Sequence, residues 1–379
     1  MARKTAFPHL HVIALCEDYG TRLWPIAREE RPVCATPVEP GSKKSLLHAA
    51  VERLVPYTSE KLHVVTTLRM AHTIDGLLAN DCKLKMEQYE LLVQPTQRGS
   101  AFAIALACAR IRKLDPQAVV LVVRCDQRVE SDERWEHLLF TSYQAAMVDR
   151  IALVGCEQDE KCADWTILRR GKVFSDVADT YCVKIFSADQ HPATAKRLRE
   201  QGAYWYSGML MCRAAVLLGE LNRAGDMSAT RDSESSHRIA ETANFLAQLE
   251  PADWLNVAAQ EVIETLPNVS LDKALLEVSD RLVLVPTNVQ FSALSSLEDI
   301  SAAGGKGIDS NNVIGCGTTL SSRNTTVYSQ QPDHPVVTLG LRDVMVVELE
   351  DMTLVVSKDQ LDKIDDVRFE IEHLKRRDK

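Results

Sequence analysis

A cation beside a glycine, a few residues past an apolar run, is a combination that can hold a phosphate, and the stretch from His11 to Pro37 offers it. Val12-Ile13-Ala14-Leu15 reads as a buried strand, Cys16-Glu17-Asp18-Tyr19-Gly20 as a turn, and Thr21-Arg22-Leu23-Trp24-Pro25 comes next. In an α/β protein this order brings backbone N–H groups and one cation to an anion at the carboxyl end of a strand. A single glycine equally suits an ordinary strand-to-loop turn, and the residue types alone leave both readings open. Two later loops carry candidate polar groups: Arg98 in Gln94-Pro95-Thr96-Gln97-Arg98-Gly99-Ser100, and Asp126 in Arg124-Cys125-Asp126-Gln127. Each has a structural alternative, a solvated loop arginine in the first case and a helix-capping aspartate in the second.

The elements that must position these loops can be read from periodicity. Helical spacing of apolar residues predicts helices over Ser45 to Val55, Met70 to Leu78 and the alanine-rich Ala101 to Lys113. Short apolar runs predict strands at Leu62 to Thr67, Tyr89 to Val93, Val119 to Val123, Ile151 to Gly155, Tyr181 to Phe186 and Leu282 to Pro286. Strands alternating with helices predict a doubly wound, mostly parallel, Rossmann-like α/β sheet over residues 1–300, with ligands at the carboxyl ends of its strands. Residues 225–237 (GDMSATRDSESSH) are serine-rich and poor in apolar side chains, and predict a mobile loop. From 301 to 379 a glycine-containing linker, short β segments separated by turns, and a charged terminal helix predict a small all-β domain.

Composition narrows the function classes. The chain has 379 residues, 45% hydrophobic and 26% charged, as ordinary globular proteins do. Its net charge of −9 argues against general nucleic-acid binding. No run approaches the roughly 20 apolar residues that span a bilayer, so no membrane partner is expected. Ten cysteines are scattered singly, without zinc spacing. With no signal-peptide core at the start, that pattern predicts reduced thiols and a cytoplasmic protein.

The wording of the loops is more specific than their physics. Gly20-Thr21-Arg22-Leu23-Trp24-Pro25, with Arg28-Glu29 and Arg31-Pro32 after it, resembles the G-G-x-G-T-R-L-W-P-x-S-R-x-x-x-P-K-Q loop of the sugar-phosphate nucleotidylyltransferases. Within that family it resembles the mannose-1-phosphate guanylyltransferase (GDP-mannose pyrophosphorylase) branch. Gln94-Pro95-x-x-Arg98-Gly99-Ser100-Ala101 is similar to E-P-x-x-R-N-T-A, and Arg124-Cys125-Asp126-Gln127 stands in the place of P-A-D-H. Tyr206-Ser207-Gly208-Met209 is similar to N-S-G-M, and Ser270-Leu271-Asp272-Lys273 to S-I-D-Y. The segment from 310 to 356 resembles a turn-rich β-helical appendage. The resemblance implies that Gly20, Thr21, Arg22, Arg98 and Ser100 meet a nucleotide, that Lys184, Ser207 and Gly208 meet a sugar, and that Arg22 and Asp126 serve catalysis, Asp126 through Mg²⁺.

Departures from the pattern cluster on the chemistry. Cys16 and Glu17 stand where two glycines belong, and Val33 stands where a lysine belongs. Ser187-Ala188-Asp189-Gln190 replaces the E-K-P that would meet the sugar phosphate, and Ala293 replaces the aspartate that would be the second magnesium ligand. Nucleotidyl transfer depends on positioning and on neutralising phosphate charge, and one such contact is typically worth about 3–4 kcal/mol. These losses predict a catalytically impaired homologue that binds, regulates or scaffolds, as a homo-oligomer or beside an active paralogue, with GTP or GDP-mannose as possible ligands. The alternative is an active guanylyltransferase with a rebuilt site, in which Lys43, Lys44 or Lys184 supplies the cation and Glu17 or Asp18 joins Asp126 at Mg²⁺. A third reading gives the β domain an oligomerising role and the α/β domain none.

Overall fold

The computed structural model describes residues 7–17, 20–28, 30–37, 42, 44–58, 60–130, 133–157, 166–186, 197–198, 200–227, 231–293, 296–297, 300–301 and 308–377. The expectations that rest on Asp18, Glu29, Lys43, Ser187 to Gln190 and the 302–307 linker lie outside the described residues. The chain forms two compact units. The first comprises Met1–Glu17, Val51–Arg124 and Val129–Phe291; the second comprises Asp18–Ala50, Cys125–Arg128 and Ser292–Lys379. The second unit thus includes segments outside 301–379.

Strands in chain order are β1 (Leu10–Cys16), β2 (Leu62–Thr67), β3 (Tyr89–Gln94), β4 (Val119–Arg124), β5 (Gln127–Val129), β6 (Ile151–Cys156), β7 (Ile167–Val173), β8 (Tyr181–Phe186), β9 (Tyr204–Arg213), β10 (Leu282–Thr287), β11 (Phe291–Ala293), β12 (Asn312–Ile314), β13 (Gly317–Leu320), β14 (Thr326–Ser329), β15 (Val336–Leu339), β16 (Val344–Glu348) and β17 (Thr353–Ser357). Helices are α1 (Leu46–Leu54), α2 (Ala71–Gly76), α3 (Gly99–Leu114), α4 (Glu133–Met147), α5 (Ala214–Met227), α6 (Arg231–Leu246), α7 (Val257–Glu264) and α8 (Ile364–Arg377).

In the first unit nine strands form one sheet in the order β3-β2-β1-β4-β9-β6-β10-β8-β7. The β1–β2, β2–β3, β1–β4 and β6–β10 pairs are parallel. Strand β9 runs antiparallel between β4 and β6. This is the mostly parallel, Rossmann-like sheet expected. The central strands are continuous apolar runs because both of their faces are covered: β6 is buried at all six positions, and β4 at the five before Arg124. Helices α3, α5 and α6 pack on one another, and their apolar sides join Ile13, Val65, Val120, Val122, Leu153 and Leu210 in one core. Alanine dominates α3 (Ala101, Ala103, Ala105, Ala107 and Ala109 are all buried) because small side chains let a helix sit close to its neighbours.

One expectation fails here. Residues 225–237 do not form a loop throughout: α5 runs to Met227, and α6 begins at Arg231. The serine-rich start of α6 is carried by the remainder of that helix, since Ile239, Ala240, Ala243 and Leu246 are buried in the core, and Ser236 Oγ donates to Ala274 O at 2.7 Å. Tertiary packing of one face outweighs weak local propensity.

In the second unit β12, β14 and β16 are parallel neighbours, β17 closes that sheet antiparallel to β16, and β13 pairs with β15 in parallel. The C-terminal charged helix is present as α8, after a short 3₁₀ stretch at Lys358–Lys363.

Candidate active site

The glycine-containing loop after β1 belongs to the second unit from residue 18 onward. Thr21–Leu23 is a 3₁₀ turn, and Leu23, Trp24, Ile26, Ala27 and Val33 sink into an apolar cluster with Leu46, Tyr328, Met345, Val347 and Leu349. Gly20 is required twice over. Its φ is +67°, and a Cβ there would lie 2.4 Å from Val33 Cγ2 and 2.8 Å from Ala27 Cβ. Two arginines tie the loop to the β strands. Arg28 Nη2 pairs with an Asp351 oxygen at 2.6 Å, and Arg31 Nη1 donates to Gln330 at 2.8 Å. The Arg28 guanidinium holds the Asp351 carboxyl below the usual range. Arg22 is exposed, Lys44 is half-buried and Asp126 is buried. Val33 is fully buried, so the position of the expected lysine is dry and apolar.

In the first unit the carboxyl ends of the strands bring together a second set. Glu17, one residue past β1, is buried, and Gln94 Nε2 at the end of β3 donates to its Oε2 at 3.0 Å. Gln97 Nε2 donates to the Glu17 carbonyl at 3.1 Å. Arg98 is the residue before α3, half-buried, with its Nε buried and unbonded among the described residues. Gln94 Oε1 and Thr66 Oγ1 are orphaned in the same way. Gly99, at φ +75°, lets the chain lie against Val269, where a Cβ would come within 2.3 Å of the carbonyl oxygen. Ser100 Oγ accepts from the Leu271 N–H at 3.0 Å, so this hydroxyl fastens α3 to the 269–271 segment.

Ser207 sits on β9 and is buried. Its hydroxyl donates to Val154 O at 3.0 Å and accepts from Met209 N at 3.2 Å, so it shapes the strand from inside. Gly208 has φ +78°, and the side chain of Arg124 lies across it. Lys184 is exposed on β8, opposite Arg169. Ala293 closes β11.

The structure adds groups that the motifs did not single out for chemistry. Asp272 is half-buried; desolvation pushes its carboxyl up, against a hydrogen bond from Thr166 Oγ1 and the positive charge of Arg124. Tyr206 is held well above the ordinary phenol range, first by burial and then by the Asp272 charge. Asp272 had a signal in the sequence, its place in Ser270-Leu271-Asp272-Lys273. Arg124 had one too, since it stands where the family pattern has proline. Perturbed carboxyl and phenol groups at the carboxyl edge make it a candidate functional site.

The opposite, amino-terminal edge of this sheet carries a different polar cluster. His11 Nε2 and His9 Nδ1 both contact Asp115 Oδ2, at 3.1 Å and 2.8 Å. His11 Nδ1 lies 3.3 Å from His63 Nε2, and His63 Nδ1 lies 3.2 Å from Glu90 Oε2. Arg110 Nη2 then bridges Glu90 at 3.1 Å and Glu250 at 3.2 Å.

The two positions matched to magnesium ligands fit that ion only in part. Asp126 offers a carboxylate and Ala293 offers no side-chain oxygen, and among the described residues no three His, Cys, Asp or Glu side chains gather to hold a metal. No helix of the described residues is long and apolar enough to cross a membrane.

Comparison with known proteins agrees with this build. Residues 13–163 match the nucleotidyl transferase family, and residues 315–368 match the mannose-phosphate isomerase/GMP-like β-helix domain. A mannose-1-phosphate guanylyltransferase of Salmonella typhimurium is 25% identical over 364 residues, covering 95% of this chain and 71% of that protein. One from Escherichia coli is 23% identical over 377 residues, covering 97% and 73%. The crystal structure described as a mannose-1-phosphate geranyltransferase from Thermus thermophilus superposes with a TM-score of 0.77 at 23% identity, over 96% of this chain and 99% of that one. Residues 13–163 are therefore similar to the nucleotidyl transferase family and residues 315–368 to the β-helix domain, and the chain has the α/β sheet and small β domain of the fold it shares with the Thermus thermophilus structure.

Proposed function

We propose that this protein binds a nucleotide or nucleotide sugar of the GTP and GDP-mannose type while transferring nucleotidyl groups poorly or not at all, and that it acts as a binding, regulatory or scaffold homologue. It would do so as a homo-oligomer or with an active paralogue. Val33 carries the reading. It is fully buried against Gly20 and among Leu23, Trp24 and Ile26, so position 33 itself offers no ammonium to a triphosphate. Glu17, buried and bonded by Gln94, stands one residue past β1 where the family pattern has a glycine. The test is calorimetric titration of GTP and GDP-mannose, with and without Mg²⁺, together with pyrophosphate release from GTP and mannose 1-phosphate. Binding without turnover is expected. Turnover at rates ordinary for an enzyme sinks the reading.

The second reading, an active guanylyltransferase, is favoured by Arg22 and Asp126, which match the family pattern and, in Arg22, reach solvent. Asp126 would then hold Mg²⁺ together with the substrate phosphates, and the ion would neutralise charge between them. The same pyrophosphate assay decides between the two.

A further inference from the structure

Two buried histidines meet at the amino edge of the main sheet, His11 on β1 and His63 on β2, at 4% and 2% exposure. His11 Nδ1 lies 3.3 Å from His63 Nε2. The other nitrogen of each ring faces a carboxylate: His11 Nε2 is 3.1 Å from Asp115 Oδ2, and His63 Nδ1 is 3.2 Å from Glu90 Oε2. The second oxygen of each carboxylate is also occupied. Asp115 Oδ1 accepts from the Gln117 N–H at 2.9 Å, and Glu90 Oε1 from Arg110 Nη2 at 3.1 Å. Burial opposes the ionisation of both groups, yet their donors outweigh it and hold both carboxyls low. Each carboxylate therefore accepts, and neither supplies a proton to the rings.

The contacts then fix the number of protons. A ring nitrogen either donates or accepts. The two outer contacts each need an N–H, and the inner one needs a third, from either ring. Two neutral imidazoles carry two N–H groups between them and two imidazolium rings carry four, so three contacts call for one charge on the pair. The groups that face the pair from neighbouring elements favour that charge. They are His9 ahead of β1, Glu60 ahead of β2, Glu90 on β3, Arg110 on α3, Asp115 just beyond α3, and Glu250. Four carboxylates there outnumber one guanidinium. Burial, with the charge of His63, holds the His11 ring low against its bond to Asp115, as the neutral member of such a pair requires.

We propose that His11 and His63 hold one extra proton between them and form a pH-sensitive lock on the amino edge. With that proton the bonds run unbroken from Asp115 to Glu90 and tie β1, β2, β3 and the end of α3 together. A second proton sets N–H against N–H, and charge against charge, across the inner contact and opens the lock. Burial of two neutral histidines explains less, because it leaves one of the three contacts without a hydrogen. The lock does not depend on any ligand at the opposite edge. Its pH dependence follows from the proton count. Unfolded histidines titrate near their ordinary value of about 6.5. Below that value the unfolded pair takes up two protons where the folded pair keeps one, so stability falls in acid. Above it the unfolded pair is neutral while the folded pair still holds one, so stability falls again as the shared proton leaves. The contribution of the pair is bell-shaped in pH.

The full chain, as wild type, His11→Gln, His63→Gln and the double variant, is melted from about pH 5 to about pH 9, and its histidine rings are followed by nitrogen-15 NMR over the same range. Glutamine keeps a donor and an acceptor and does not titrate. The signals lost in the two variants are expected to show, together, one charge near neutral pH. The wild type is expected to melt about 3 °C or more above His63→Gln near neutral pH, with that difference shrinking toward both ends of the range. The double variant is expected to lose less than the two single losses added, since the residues share one contact. Should a variant not fold, the wild-type spectrum still decides: the buried pair has the slowly exchanging ring N–H protons, and three are expected. Two or four such protons, two rings that titrate independently, or a melting difference that changes in one direction only across the range overturns the inference.

Discussion

The two edges of the main sheet are both polar, but they are polar in different ways. At the amino edge His9, Asp115, His11, His63, Glu90, Arg110 and Glu250 form a continuous chain, and none of the orphaned buried atoms of the described residues lies among them. At the carboxyl edge Thr66 Oγ1, Gln94 Oε1 and Arg98 Nε are buried without a partner among the described residues, and burial favours the protonated form of Asp272. Buried polar groups are normally satisfied, because leaving one unmade costs on the order of 1–3 kcal/mol. One edge is therefore closed by the chain's own partners, while the other keeps buried polar atoms that the described residues do not pair.

This contrast can be broken by mutation. His63→Leu at the amino edge strands His11 and Glu90 together, and should lower stability by about 2–4 kcal/mol in urea unfolding without altering nucleotide affinity. A neutral result there would mean that the amino-edge chain is ornamental. Arg98→Ala at the carboxyl edge should reverse the pattern, with GTP affinity down about tenfold, near 1.4 kcal/mol, and a melting temperature within a degree or two of wild type. Asp272→Asn keeps the acceptor for Thr166 and removes a partly buried charge, so it should stabilise the fold at neutral pH by about 1 kcal/mol in urea unfolding.

The smallest effect is in the pH profile, where the two edges pull in opposite directions. Burial holds the folded pKa of His11 below its unfolded value of about 6.5, so its contribution is lost as pH falls below that value. Glu90 and Asp115 are also held low, by His63 and Arg110 in one case and by His9 and His11 in the other. Their contribution is present above about pH 4 and is lost in acid. Asp272 is raised, so its contribution is present below about pH 4 and is lost as pH rises through its folded pKa. Melting temperatures measured from pH 7.5 to 4 should thus fall with acid, and fall more steeply in Asp272→Asn than in wild type. Equal slopes would mean that Asp272 titrates alike in the folded and unfolded chain.

Much of the fold was legible in the chain because its strands are nearly uninterrupted apolar runs. Leu62 to Thr67 and Tyr181 to Phe186 coincide with observed strands, and the alanine-rich helix is off by only a residue or two. The start of α6 was illegible because its own residues give it little reason to be helical; the reason lies in the core it packs against. For the site, the sequence pointed to the loops at the strand ends and to the departures within them. It could not show that the Ser100 and Ser207 hydroxyls are turned to internal bonds, nor that Arg124 rests on Gly208. The two hydroxyls reach partners 171 and 53 residues away in sequence, adjacent only in the fold.

The contact between Val33 and Gly20 also bears on the history open to this chain. A lysine placed at 33 today would have to thrust its stem and charge through Leu23, Trp24 and Ile26, at a cost near that of an uncompensated buried ion. Loosening that apolar cluster first would unpin the loop before any cation arrived. Either step alone passes through a worse protein than the present one. The valine therefore works as a ratchet: a cation for this loop is easier to supply from elsewhere in the chain than at position 33.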